Sequence, residues 1–261
     1  MIARAAVCPS PPLLARELTG RAPVLPELRA ACAAAVARLL SPAPDVVIVV
    51  GAGHATAAWD PGGRLDLAAW APGLGVRGTP GLPLPLGLGA MLLDAAGYAG
   101  RRVMQAVGEA EPAAACLRLG ASLADSAPAA AMLVMGDGSA RRSPAAPGHF
   151  DERAEPFDFA VEQAIKDGDM AAIAALDPAL ARELMATGRA AWQVLAGALG
   201  TGRAPAGEIV YADAPFGVGY LVAVLAAPGS DGGQAGRRPS GADRAPRRPG
   251  AAASVPRRRP G

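Results

Sequence analysis

Only two histidines, His54 and His149, stand in the 261 residues, so any imidazole chemistry rests on one of them. His54 follows the apolar run Asp45–Val50 and the short turn Gly51-Ala52-Gly53. A side chain just beyond a buried strand sits where sites form in open α/β sheets. There an imidazole is a candidate metal ligand or base; the competing reading is a purely structural histidine. A second such turn, Gly136-Asp137-Gly138-Ser139-Ala140, follows the apolar run Met132–Met135. Asp137 is a candidate helix cap or ligand-orienting group. Together with Ser139 and a histidine it also has the parts of a hydrolase or transferase, although nothing in the spacing arranges them. His149 lies nine residues beyond Ala140, after Pro147-Gly148, and reads as an exposed loop residue or a distant stand-in base. Ser10 lies after the first apolar run. Glu183, beside Arg182 on a predicted helix, reads as a solvated charge or an ion-pair partner of Arg182 or Arg189.

Other chemistries have no foothold. GAGHAT is short of the full G-x-G-x-x-G pattern and has no acidic residue after a clear second strand, which makes a dinucleotide site weak. No G-x-S-x-G elbow, phosphate-binding P-loop, H-E-x-x-H or kinase signature occurs. Cys8, Cys32 and Cys116 are far apart with no C-x-x-C pair, which argues against a disulfide framework or a zinc knuckle and predicts a reducing cytoplasm.

The elements that must position these residues alternate between strands and helices. Ile2–Cys8 predicts a first strand ended by prolines, and Leu25–Leu40 a helix with apolar residues at Leu28, Cys32, Val36 and Leu39. Asp45–Val50 is β-branched and continuous, as expected of a parallel strand buried on both faces. Residues 61–88, rich in Gly and Pro, predict a long loop with a short strand. Helices are expected over Leu86–Ala99, Ala110–Asp125, Arg153–Lys166, Met170–Leu176, Pro178–Thr187 and Ala190–Leu199, with Asp177 capping the one that begins at Pro178. Late strands are expected over Glu208–Tyr211 and Gly217–Leu225. The pattern predicts an α/β protein of αβα layers around a central, mostly parallel sheet.

Hydrophobic residues make up 51% of the chain and aromatics only 4%, so a large core must be built from Ala, Leu and Val. Lys166 is the only lysine among 25 basic residues, which reads as a coding bias rather than a choice of guanidinium. The segment from Asp231 onward carries a local balance of +6, leaving the body at about −4. A mildly acidic body lacks the basic stripe of a nucleic-acid binder. The opening MIARAAVCPSPPLL is broken by Pro9, Pro11 and Pro12 and does not read as a signal peptide. No membrane span is expected, since no stretch of about 18 apolar residues runs without charge, Pro or Gly. The expected organisation is one domain over 1–227 and a disordered Arg/Pro/Gly-rich tail over 228–261.

Four segments, CPSPPLL (Cys8–Leu14), VVIVVGAGHATAAW (Val46–Trp59), MLVMGDGSARRS (Met132–Ser143) and RELMATGRAAWQVL (Arg182–Leu195), resemble in order and spacing the LigB-type class III extradiol ring-cleavage dioxygenases and the related Memo-like proteins. DAPFGVGYLVAVL (Asp213–Leu225) resembles that family's closing strand. The resemblance spans about residues 1–225. It implies a cleft at the strand ends where a non-haem Fe(II), held by two His and a carboxylate with open positions for a catechol and dioxygen, cleaves an aromatic ring. His54 keeps one expected ligand. Ser10 stands where related sequences read CPHPPLL, Ala140 stands where the acid/base His of G-D-x-S-H is expected, and Ala186 and Thr187 precede Gly188 where a Glu or a Cys is expected. Glu183 lies about one helical turn away. The resemblance thus implies either Fe(II) held by His54 with Ser10, Glu183 or water, or a protein without metal. In the second case the former cleft holds a small aromatic ligand or a protein partner. A small companion chain or a homo-oligomer would also fit the family.

Overall fold

The computed structural model describes residues 1–22, 24–75, 81–126, 129–202 and 204–226. The chain divides into two units, Met1–Ser230 and Asp231–Gly261; the tail expected over 228–261 lies outside the described residues.

Seven strands form one sheet: β1 (Ile2–Cys8), β2 (Val46–Gly53), β3 (Ala57–Trp59), β4 (Arg101–Gly108), β5 (Ala130–Met135), β6 (Glu208–Asp213) and β7 (Tyr220–Ala226), in the order β3-β4-β2-β5-β1-β7-β6. The central four, β4, β2, β5 and β1, are mutually parallel, and β3, β7 and β6 extend the sheet antiparallel at its edges. Because side chains alternate across a strand, each central strand feeds two cores. Val7, Ile48, Val50, Met132 and Val134 pack on one face with α4 (Ala113–Asp125), α5 (Ala154–Asp167) and α8 (Arg189–Leu199). Ala6, Cys8, Val47, Val49 and Leu133 pack on the other with α2 (Pro26–Leu40) and α3 (Leu84–Ala95). The result is the αβα sandwich. Between β1 and α2 lies the single turn α1 (Arg16–Thr19), and between α5 and α8 lie the short α6 (Met170–Ala174) and α7 (Pro178–Glu183).

The structure departs from the sequence reading at several places. β2 continues through Gly53, because Gly51, Ala52 and Gly53 pair with Ala106, Val107 and Gly108 of β4. β4 itself carries no alternating pattern, and β3 is only three residues long. The helix expected over Pro178–Thr187 stops at Glu183, because Met185 takes a left-handed backbone, φ 57°. Asp177 does cap α7, its carboxylate accepting from the Ala179 amide at 2.8 Å.

Cys8, Cys32 and Cys116 are buried free thiols. A hydrogen bond with Cys32, and then burial, push the Cys8 thiol well above its ordinary range. These are core fillers rather than nucleophiles. Among the described residues, no helix is long and apolar enough to cross a membrane.

Candidate functional site

Parallel strands deliver their following loops to one edge of the sheet. At that edge the segments after β1, β4 and β5, the α7–α8 connection and the approach to β7 enclose a cavity of about 600 Å³. Pro11, Pro12 and Leu13 line it from the β1 loop, Asp137 and Ala140 from the β5 loop, and Met185, Ala186, Thr187 and Arg189 from the start of α8. Phe216, Val218 and Tyr220 close the far side. The wall is mainly apolar with a few polar groups, the usual character of a small-molecule site.

Close backbone approach holds this edge together. A Cβ on Gly136 would lie 2.4 Å from the Gly188 Cα, so only glycine lets the β5 turn and the start of α8 touch. The Gly188 amide donates to the Asp137 carbonyl at 2.8 Å, and the Gly136 amide to the Cys8 carbonyl at 3.0 Å. The Ser10 amide donates to Asp137 Oδ1 at 2.6 Å. The loops after β1 and β5 are thereby fixed to each other and to α8.

Asp137 is the site's most perturbed carboxyl. Burial pushes it up to about 6, and the Ser10 amide only partly offsets this. A group poised there gives or takes a proton near neutral pH. Beside it, burial raises the Tyr220 phenol, and the charge on Asp137 raises it further.

The other sequence candidates do not line the cavity. Ser10 is buried and meets Asp137 through its backbone amide. Ser139 is fully buried, with its hydroxyl donating to Asp158 Oδ2 at 2.7 Å and its amide to Oδ1 at 2.7 Å. That pair ties the β5 loop to α5, with Arg142 also on Asp158 at 3.3 Å. Burial, the larger effect, raises the Asp158 carboxyl against these three hydrogen bonds. Glu183 is exposed and pairs with Arg153 at 2.8 Å, rather than with Arg182 or Arg189. His54 is exposed at the end of β2 and is absent from the cavity wall, and His149 is exposed in its loop with φ 59°.

The two-His-one-carboxylate set implied for Fe(II) therefore does not assemble. Where the acid/base histidine and the Glu or Cys are expected, the cavity wall offers Ala140, and Ala186 and Thr187. Among the described residues, no group of three or more His, Cys, Asp or Glu side chains stands ready to hold a metal. The donor set does not fit Fe(II).

From the sequence alone, Arg189 suggests itself only as a possible partner of Glu183. It is instead 2% exposed, lines the cavity, and donates to the Glu111 carbonyl at 2.6 Å, to Gln193 Oε1 at 3.0 Å and to the Glu109 carbonyl. Gln193 in turn donates to the Ala174 and Leu176 carbonyls at 3.1 and 2.9 Å. A signal for this does exist: Arg189 and Gln193 are the only polar residues of α8 and stand one turn apart, which places both on one side of an otherwise apolar helix.

No protein-family model and no curated protein matches the chain. Among solved structures, an uncharacterized protein from Escherichia coli K12 is similar over 85% of this chain and 99% of its own, with 14% identity and a TM-score of 0.48.

Proposed function

We propose that this chain is a divergent relative of the LigB-type class III extradiol ring-cleavage dioxygenases and of the Memo-like proteins. In this reading it keeps their cleft without the iron-binding side chains, and it works by binding a small aromatic molecule there. The observation that carries the reading is the cavity itself. Three of the four resembling segments supply its wall, through Pro11–Leu13, Asp137 with Ala140, and Ala186 with Thr187. Ring cleavage needs a metal to bind both the phenol and dioxygen. Alanine has no donor atom to hold that metal, and a neutral serine hydroxyl is a poor substitute for imidazole. What remains is a preformed, largely apolar pocket with polar groups at fixed places, which is sufficient for recognition. The unpaired buried thiols agree with a reducing cytoplasm as the place of action.

The test is calorimetric titration of the full chain with catechol and 4-methylcatechol in the presence of a chelator. Saturable one-to-one binding that persists with chelator is expected, with no oxygen uptake. Ala110→Trp, which introduces bulk from an exposed position on the cavity wall, is expected to weaken it by about tenfold or more. Catechol binding that vanishes with chelator, or is indifferent to this substitution, would overturn the reading.

A further inference from the structure

We infer that the cavity selects a carboxylate, held by Arg189, on a ligand with an apolar body. This inference rests on the proposal that the cleft binds a small molecule, and it names the chemical class. A guanidinium keeps its charge at physiological pH and presents five N–H donors in a planar fork. In Arg189, oxygen acceptors within the chain take three of them: the Glu111 carbonyl, the Glu109 carbonyl and Gln193 Oε1, with the Cys116 sulfur at 4.0 Å from the same nitrogen as two of these. Every one of these acceptors is neutral. Among the described residues no carboxylate pairs with Arg189, although the side chain is almost wholly withdrawn from solvent. A buried charge without a counter-ion is costly, and proteins ordinarily pair it.

The surroundings say where the counter-ion belongs. Arg189 belongs to the cavity wall, so an entering ligand is the group that can reach the two remaining donors. It is also the first residue of the eleven-residue α8, whose amino end faces the same space through Thr187 and Ala190 and adds positive potential there. Two carboxylates share the wall, and neither pairs with Arg189: only burial and the Ser10 amide govern Asp137, and Glu109 is exposed and meets Arg189 through its backbone carbonyl. Two free donors in one plane suit a carboxylate taken side-on. Leu13, Met185 and Phe216 supply apolar wall for the rest of the molecule.

The experiment titrates the full chain with benzoate and phenylacetate against their neutral counterparts benzamide and benzyl alcohol, and with phenyl phosphate as the competing anion. The acids are expected to bind at least about tenfold more tightly than the neutral compounds. Arg189→Gln should erase that preference, so that acids and neutral compounds bind alike, whereas Arg182→Gln, at an exposed position on the same wall, should keep it. Because Arg189 also ties the β4–α4 loop to α8, Arg189→Lys is measured alongside. Retaining a charge without the fork, it should lose most of the preference without loss of fold. Equal binding of acid and amide by the native chain overturns the inference while the cleft-binding proposal stands. Tighter binding of phenyl phosphate, or loss of preference in the Arg182 variant alone, also overturns it. If none of the compounds and no catechol binds, both readings fail.

Discussion

Gly120→Ala is expected to destabilise the protein by about 3 kcal/mol or more, the upper part of the range for overpacked cores. Gly120 lies in α4 where it crosses α8, and a Cβ there would sit 2.0 Å from the Val194 carbonyl oxygen and 2.7 Å from the Ala198 amide nitrogen. The contact is reciprocal: a Cβ on Gly197 of α8 would sit 2.1 Å from the Leu117 carbonyl oxygen of α4. Both obstacles are backbone atoms inside helices, which cannot rotate aside as a side chain tip can. The two helices must separate, and Val194, Leu195 and Trp192 then lose part of their burial in the core. Since α8 also carries Arg189 to the cavity, the same displacement should weaken ligand binding. Urea denaturation of the variant checks the size, and a loss below about 1 kcal/mol would show that the helices can part cheaply.

Asp137→Asn is expected to act in the opposite direction, stabilising the folded chain by about 1–3 kcal/mol at pH 8 and changing little at pH 4. The sign follows from the raised ionisation. The carboxyl ionises near 3.8 when exposed and near 6 in the folded chain, so the folded state holds the proton more tightly. Its contribution is fully favourable below about pH 4 and is lost as pH rises through 6. The range is wide because Asp137 is only partly withdrawn from solvent at the cavity wall. Asparagine keeps an oxygen to accept the Ser10 amide at the site of Oδ1 and carries no charge to desolvate. Denaturation midpoints at pH 4 and pH 8 decide it, and equal midpoints for both proteins at pH 8 would contradict the buried-carboxylate account. A group that costs stability where it stands is a common mark of a working site.

The fold was legible where burial wrote a pattern into the sequence. Asp45–Val50 reads as a two-sided buried strand because every residue of Val46–Val50 is in fact enclosed by helices above and below. Arg101–Gly108 does not read as a strand, since it opens on two arginines and carries Gln105 in mid-course. It is a strand because its full length pairs with β2, a non-local cause that no local pattern records. The end of α7 is hidden for a related reason: Met185 adopts a left-handed backbone without the glycine that usually announces one.

The site was legible in part. The sequence marks Asp137 and the positions of Ala140, Ala186 and Thr187, and these do share one cavity wall. Distance from that wall, which depends on how loops pack, was not legible, and neither His54 nor Glu183 lines it. Ser139 looks like a reactive hydroxyl in the sequence because its burial and its bond to Asp158 depend on α5, nineteen residues further along the chain. Arg189 is easily passed over because an arginine beginning a helix resembles a solvated charge until its carbonyl acceptors from the β4–α4 loop are seen.

The claim that the cleft recognises a ligand without iron is tested most directly by anaerobic calorimetric titration of the full chain with Fe(II), with His54→Ala as the control. The account predicts no binding by the native chain beyond that of the variant. One-to-one binding at micromolar concentration or tighter, lost on replacing His54, would contradict it and return the chain to ring-opening chemistry.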